Sequence, residues 1–345
     1  RAVVDGLVPP AADEPPGAVA DPPGSPAPPW LAELGTARPT GTYAYGDVYG
    51  DQVNYLATFA CPEETLGGPD HVISILIDRN LDMVKDLFIA TPAAVVIERL
   101  RDSAAEDETT FFAERPPESM LAALPPYLAS TDASSELPGS ESFGTDRAIV
   151  LARLRLLAAI DVPEAGPESP PEAEPTTLPD PEYLAAFRQS PEADRLVGAP
   201  GDAAALTFCL ELIGRHAAAR HDRDVLRWSP AAVRRFLLDW VPGHAILDAA
   251  DRALLPSVLD AWVRWAGRVQ RLPPRLVAVT ITTIAQVRRG FLHRVLSGTL
   301  RSPAAEAVAR LLADGIDLDD EAAVARWLDA YNAERDDPGC PTPNR

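Results

Sequence analysis

Lysine, cysteine and long apolar runs are what this chain lacks. Lys85 is the only lysine, and the other thirty of the 31 cations are arginine. Such a bias often reflects the base composition of the gene, and no function is read from it. The three cysteines, Cys61, Cys209 and Cys340, lie far apart, and none forms a Cys-x-x-Cys pair. A disulfide-stapled fold and a paired-cysteine metal or redox motif are therefore excluded, and a reducing, cytoplasmic setting is expected. No stretch reaches the ~18 apolar residues of a membrane helix, so no membrane association is expected. The first thirty residues lack the basic start and apolar centre of a secretory signal. There is no Walker phosphate loop, no Gly-x-Gly-x-x-Gly and no Gly-x-Ser-x-Gly. Gly139-Ser140-Glu141-Ser142-Phe143-Gly144 has the wrong spacing for a nucleophile elbow. No cofactor is expected.

Proline, alanine and acid are in excess. The 36 prolines among 345 residues are about twice the usual share. Fifty-seven alanines inflate the 46% hydrophobic content, so large core-forming side chains are fewer than it suggests. The length suits roughly two domains. Fifty-one carboxylates against 31 cations give a net charge of -20, which argues against nucleic-acid binding by the whole chain, because phosphates need positive groups to neutralise them. The charge is uneven. Residues 203–301 hold fifteen arginines and seven carboxylates, and the remainder holds sixteen cations and forty-four carboxylates. Either the helical centre exposes arginine while the rest exposes carboxylate, or its basic face meets an acidic segment or an anionic partner.

The first forty residues contain ten prolines and little apolar mass, the composition of an unfolded extended arm. Trp30-Leu31 could be a small docking spot within it. Thr42–Tyr45 and Val53–Ala60 then read as a hairpin around Asp47, Gly50 and Asp51. His71–Ile77 is nearly continuous in apolar residues, the mark of a strand covered on both faces. Asn80 suits the cap of a helix through about Ile89, with Leu81, Val84, Leu87 and Phe88 inward. Thr91-Pro92 opens a helix with Val95, Val96, Ile97 and Leu100 inward. Thr109–Phe112 reads as a strand, Pro117 opens a short helix and another follows Thr145. Residues 161–181 hold seven prolines and no cation, the composition of a disordered linker.

Beyond Pro181 the pattern is helical. Asp202 caps a helix containing Cys209, expected as a small core residue. Ser229-Pro230 caps another with Val233, Phe236, Leu237, Trp240 and Val241 on one stripe, stopped by Pro242-Gly243. Leu255, Val258, Leu259, Trp262 and Trp265 repeat the pattern, and 272–297 reads as a helix despite a β-branched start. Ser302-Pro303 caps a further helix. Asp319 or Asp320 caps the last, with Val324, Trp327, Leu328 and Tyr331 inward. Five of the six tryptophans lie from Trp228 onward, placed as fillers between helices.

The expected fold class is a small α+β N-terminal domain followed by an all-α helical bundle. Its layout is a disordered Pro-rich arm (1–40), the α+β domain (41–128), a loop (129–145), a helix (146–160), an acidic Pro-rich linker (161–181), the α-helical bundle (182–335) and a disordered tail (336–345). Gly46 to Gln52, His71 to Ile89, Trp228-Ser229-Pro230 through Trp240-Val241-Pro242, and Leu255 to Gly267 resemble a family of uncharacterised proteins from high-GC bacteria. The resemblance spans about residues 41–334. It implies a two-part intracellular protein and brings no activity. The family pattern has His-Asn after the strand-ending aspartate, whereas here Arg79 stands between Asp78 and Asn80.

The candidate chemistry centres on Asp78, Asn80, Asp82, Lys85 and Asp86 at the carboxyl end of the apolar strand, a frequent site location. On a helix, Asp82 and Asp86 would share a face and could hold a hard cation, but Asp82 equally serves the helix start and Asp86 equally faces water. Asp47 and Asp51 could join them or merely turn the chain. Asp317 to Glu321 fails as a calcium loop, since Ala322 and Leu328 stand where glycine and an acid are needed. His216 and His221 are five apart, not the four of a zinc-binding helix pair. A Cys-His nucleophilic pair is not excluded by spacing. Arg234-Arg235, Arg264, Arg268, Arg271, Arg275, Arg288, Arg289 and Arg294 form a candidate basic surface. The leading expectation is a non-catalytic cytoplasmic binding or adaptor protein that meets another protein through its helical domain, with Arg288 and Arg289 at the contact. A metal-assisted hydrolase or small-ligand enzyme centred on Asp78 is the second, and nucleic-acid binding by the helical domain the third.

Overall fold

The computed structural model describes residues 36–62, 69–134, 141–158, 181–196, 202–297 and, with interruptions, 307–336. The expected linker and tail, most of the N-terminal arm and most of the helix after Ser302-Pro303 lie outside the described residues. The chain forms two compact units, Arg1–Thr176 with Ala217–Ser229, and Thr177–His216 with Pro230–Arg345. It passes between them three times, where the sequence suggested a single crossing at the linker.

The first unit is built on an antiparallel sheet of β1 (Arg38–Asp47), β2 (Gln52–Ala60), β3 (His71–Asp78), β4 (Met83–Ala90) and β5 (Thr110–Glu114), in the order β4-β3-β2-β1-β5. Its helices are α1 (Ala93–Glu106), α2 (Pro117–Ala133) and α3 (Glu141–Ala158). The alternation along β3 sends Ile73, Ile75 and Ile77 to one face, where Met120, Leu124, Tyr127, Val150 and Leu154 of α2 and α3 cover them. Val72 goes to the other face, against Leu56, Ala93 and Ile97. The continuous apolar run thus has the expected cause, helices on both faces. The first strand begins at Arg38, inside the segment expected as an arm, and Val95, expected inward, is 50% exposed. The expected loop over 129–145 is shorter, since α2 runs to Ala133 and α3 starts at Glu141.

The expected helix from Asn80 is instead a tight turn and a strand. Asp78, Asn80, Asp82 and Asp86 therefore share no helix face. The reason lies in the register. Leu76 pairs with Asp86 but Ile77 pairs with Val84, so Lys85 is an extra residue in β4. A bulge of this kind shifts the alternation by one. Val84 and Leu87, three apart, then face the same core, which reproduces helical spacing. As an edge strand, β4 has outward N–H groups to satisfy. The Thr131 hydroxyl accepts from Val84 (2.8 Å) and the Asp146 carboxylate from Ile89 (3.2 Å).

The second unit is helical: α4 (Pro181–Arg188), α5 (Pro191–Asp194), α6 (Asp202–Ala218, its last two residues in the first unit), α7 (Pro230–Arg235), a π-turn (Phe236–Trp240), α8 (Val241–His244), α9 (Ala249–Val269), α10 (Pro274–Ser297) and α11 (Glu321–Asp336). Pro242 does not stop the chain as expected. Proline carries no N–H for the carbonyl four residues before it, and the helix widens so that the Val241 N–H reaches Phe236 O. The freed Leu238 carbonyl accepts from Arg294 Nη1 at 2.9 Å. Asp248 and Asp251 cap α9 reciprocally. Asp320 accepts from Ala323 N and so caps α11. Leu328, expected inward on that helix, is exposed, while Tyr331 is buried. Cys209 is buried as expected, and burial pushes its thiol up to about 12.

Phe187, Trp262 and Trp265 form the aromatic centre, with ring centroids 4.8–5.7 Å apart. Trp228, expected as a bundle filler, belongs to the first unit, where its ring N–H donates to Val225 O at 2.9 Å. Phe187 is 0% exposed, and Phe187→Ala is expected to cost about 3–5 kcal/mol. Urea unfolding followed by tryptophan emission checks this, with an earlier midpoint and a red-shifted native spectrum expected.

Candidate functional sites

The carboxylates singled out in the sequence meet a segment from far along the chain. Asp78 ends β3. Its Oδ1 accepts from the N–H groups of Asn80 (3.0 Å) and Leu81 (3.1 Å), and its Oδ2 from Gln52 Nε2 (3.1 Å). Lys85 Nζ stands 4.0 Å away, half-exposed. Asp47 does the same for the preceding turn, accepting from the N–H groups of Asp51 (3.2 Å) and Gln52 (2.6 Å), so it turns the chain together with Gly50, whose φ is +77°. Asp86 accepts from Leu87 N at 2.8 Å.

Arg227 closes the arrangement. Its side chain is 1% exposed. Its Nε donates to Asp222 (2.6 Å), Nη1 to Asp51 (2.8 Å) and Asn80 (2.9 Å), and Nη2 to the Arg79 carbonyl (3.1 Å). Arg220 donates from Nε to the other oxygen of Asp222 (3.2 Å) and from Nη2 to the Asp224 carbonyl. Asp82, in the left-handed region at φ 53°, accepts from His221 N at 3.2 Å. Burial pushes Asp82 and Asp47 up. Burial also pushes on Asp222, but the charges of Arg227 and Arg220 outweigh it and hold that carboxyl below the usual range. Tyr127, beside this cluster, is raised to about 12 by burial and by the Asp222 charge. Arg79 is turned against Tyr55, with Nη2 3.5 Å from its hydroxyl.

These residues fasten two turns and residues 217–229 to one another. The cluster is internal structure, and its carboxylates accept from the chain's own donors. Among the described residues no group of three or more His, Cys, Asp and Glu side chains could hold a metal ion.

Two further pairs were not named in the sequence, which left a Cys-His pair open without placing it. Ser130 Oγ lies 2.7 Å from His221 Nε2, the spacing of a nucleophile and its base. His221 is exposed and Ser130 half-buried, the Tyr127 ring packs edge-on against the imidazole, and the pair docks 217–229 on α2. Cys61 Sγ lies 3.9 Å from His71 Nδ1. His71 Nε2 accepts from Arg153 Nε (2.9 Å), so Nδ1 carries the proton and donates to Pro69 O (3.0 Å). Both nitrogens are committed, and the ring stacks on Phe59. It cannot take a proton from the thiol without breaking one of these bonds.

The arginines of the second unit face outward. A concavity of about 330 Å³ between α5, α9 and α10 is lined by Arg195, Leu196, Ile281, Ile284 and Arg288 among others. It adjoins another of about 550 Å³ lined by Arg271, Leu272 and Val277, and the two share Glu192, Arg195, Arg264 and Ile281. Arg264 is paired with Asp260 (2.7 Å), and Arg268 forks onto Glu192 (3.0 and 2.8 Å). Arg288 lines this groove and Arg289 does not. Arg294 bonds Asp239 (2.9 Å), away from it. Comparison with family models, with curated proteins and with solved structures finds no match to this chain.

Two outcomes follow for the first unit. Arg227→Ala leaves Asp51 without its counter-charge and Asp222 with Arg220 alone, and breaking a buried pair this way costs about 3–5 kcal/mol. Chemical unfolding should show an earlier midpoint, and trypsin should cut faster at Arg220, which is buried in the native chain. For His71, burial with the Arg153 charge outweighs the pull of the Pro69 carbonyl and of Asp70 and holds the imidazole below its ordinary value. The unfolded imidazole takes its proton near ~6.5 and the folded one only at lower pH. Its contribution is therefore full above ~6.5 and is lost as pH falls through the folded value. His71→Gln should flatten that stretch of the stability–pH profile, measured by urea midpoints between pH 7.5 and about 4.5.

Proposed function

We propose that the chain is a non-catalytic cytoplasmic binding protein that engages another protein through its helical unit. The observation that carries this reading is the groove between α9 and α10, where arginine side chains rim a half-buried apolar floor. Interfaces favour arginine because its fork pairs carboxylates while its stem covers apolar surface. The Asp78 cluster supports the same reading from the other side, since its carboxylates hold backbone and Arg227. Among the described residues no helix is long and apolar enough to cross a membrane.

An Asp78-centred enzyme is the competing reading, and the two are separated on the full chain. Mg²⁺, Mn²⁺, Zn²⁺ and nucleotides are expected to leave the melting temperature unchanged, because only a ligand that binds the native state raises it. A shift that Asp78→Asn removes would move the function to that cluster. In parallel, chemical crosslinking in cells should recover partners with the native chain that Arg195→Glu/Arg271→Glu/Arg288→Glu loses while keeping its melting temperature. The same partners with both proteins would sink the groove as the contact.

A further inference from the structure

The geometry points to an acidic peptide segment of the protein partner, apolar along one side, as what the α9–α10 groove binds. The inference rests on the reading above and names the chemistry of the occupant. Along α10 the lining residues Val277, Ile281, Ile284 and Arg288 fall on one stripe, opposite Pro256, Ala261, Arg264, Gly267 and Arg271 running the other way. The Gly267 Cα is bare where a Cβ would meet Val277 Cγ2 at 2.6 Å, so the two helices approach closely there. At a rise of 1.5 Å per residue the α10 stripe spans roughly 16 Å. That is the length of about five extended residues or three helical turns.

Among the described residues five arginines and two carboxylates line the groove. The carboxylates Asp260 and Glu192 are taken by Arg264 and Arg268. Among the described residues Arg195, Arg271 and Arg288 carry no carboxylate partner, and all three are exposed. Their spread from one end of the groove to the other suits a ligand with several separated negative charges. Between these charges the surface is aliphatic: Leu196, Leu272, Val277, Ile281 and Ile284. Among the described residues no aromatic side chain lines the groove to stack a base, which single-stranded nucleic acid binding uses. Carboxylates flanking apolar side chains match both features at once, as in peptides that lay one face into a groove.

The test is fluorescence anisotropy of the full chain with three labelled twenty-residue peptides and a dT20 oligonucleotide. One peptide carries leucine at every third and fourth position and glutamate between, the second has glutamine for glutamate, and the third is a scramble of the first. The first should bind, weakening about tenfold or more as salt rises from about 0.15 M to about 1 M. The glutamine peptide and the scramble should each bind at least about tenfold more weakly. Arg195→Glu/Arg271→Glu/Arg288→Glu should abolish binding without lowering the melting temperature. Equal binding of the scramble, or tighter arginine-dependent binding of dT20, would overturn the proposal. If no peptide binds while the crosslinked partners still depend on the three arginines, the occupant is wrong and the binding function stands. If neither depends on them, both fall.

Discussion

The desolvated charge of Arg227 is the constraint on which the first unit depends. A guanidinium taken out of water must find partners for its charge and its donors, or it unfolds its surroundings. Its partners come from two turns, through Asp51 in one and Asn80 and the Arg79 carbonyl in the other, and from Asp222 beside it in the chain. The pairing with Asp51 crosses 176 positions of sequence. Asp47 and Asp78 cap these turns from within the sheet, and residues 217–229 tie the two turns to each other through Arg227. Asp222 serves Arg220 as well as Arg227, and its low affinity for protons records how much positive charge is gathered there.

Periodicity carried the reading of strand and helix wherever one face was buried and the backbone regular. The β1–β2 hairpin, the apolar third strand and the long helices from Asp202 onward follow from that pattern alone. It misled at two irregularities. The extra residue at Lys85 turns alternation into a three-residue spacing, which no count of apolar positions separates from a helix. Pro242 reads as a stop, yet the π-turn before it and Arg294 over Leu238 let the helix continue. Both are local backbone events whose stabilising partners come from elsewhere in the fold.

The Asp78 cluster was legible as a concentration of charge and illegible in purpose. Nothing local to Asp78 reveals that its carboxylate caps the following turn, because that depends on a tight hairpin where a helix was expected. Arg227 went unnoticed within a stretch rich in arginine, where each one reads as solvated. A signal was present. Arg227 stands between Leu226 and Trp228, with Asp222 and Asp224 just before it, a cation embedded in apolar sequence beside its own counter-charges. Arg153 offers the same signal. It lies in the run from Ile149 to Leu157 and is 2% exposed, bonded to His71 and over the Phe59 ring.

One residue type thus has two fates in this chain, and burial decides between them. Arg227 and Arg153 spend their charge inside the first unit. Arg195, Arg271 and Arg288 keep theirs at the surface of the second. Exposed pairs add little affinity each, so the groove's selectivity must come from spacing several charges around an apolar floor. The chain as a whole opposes any acidic ligand, since its net charge is -20. Screening resolves the conflict. At about 0.01 M salt the Debye length is near 30 Å and the ligand senses the whole chain, but near 0.15 M it is about 8 Å and the ligand senses the groove. The local surplus of arginine is then the field that counts, and the acidic bulk serves solubility without cancelling the recognition surface.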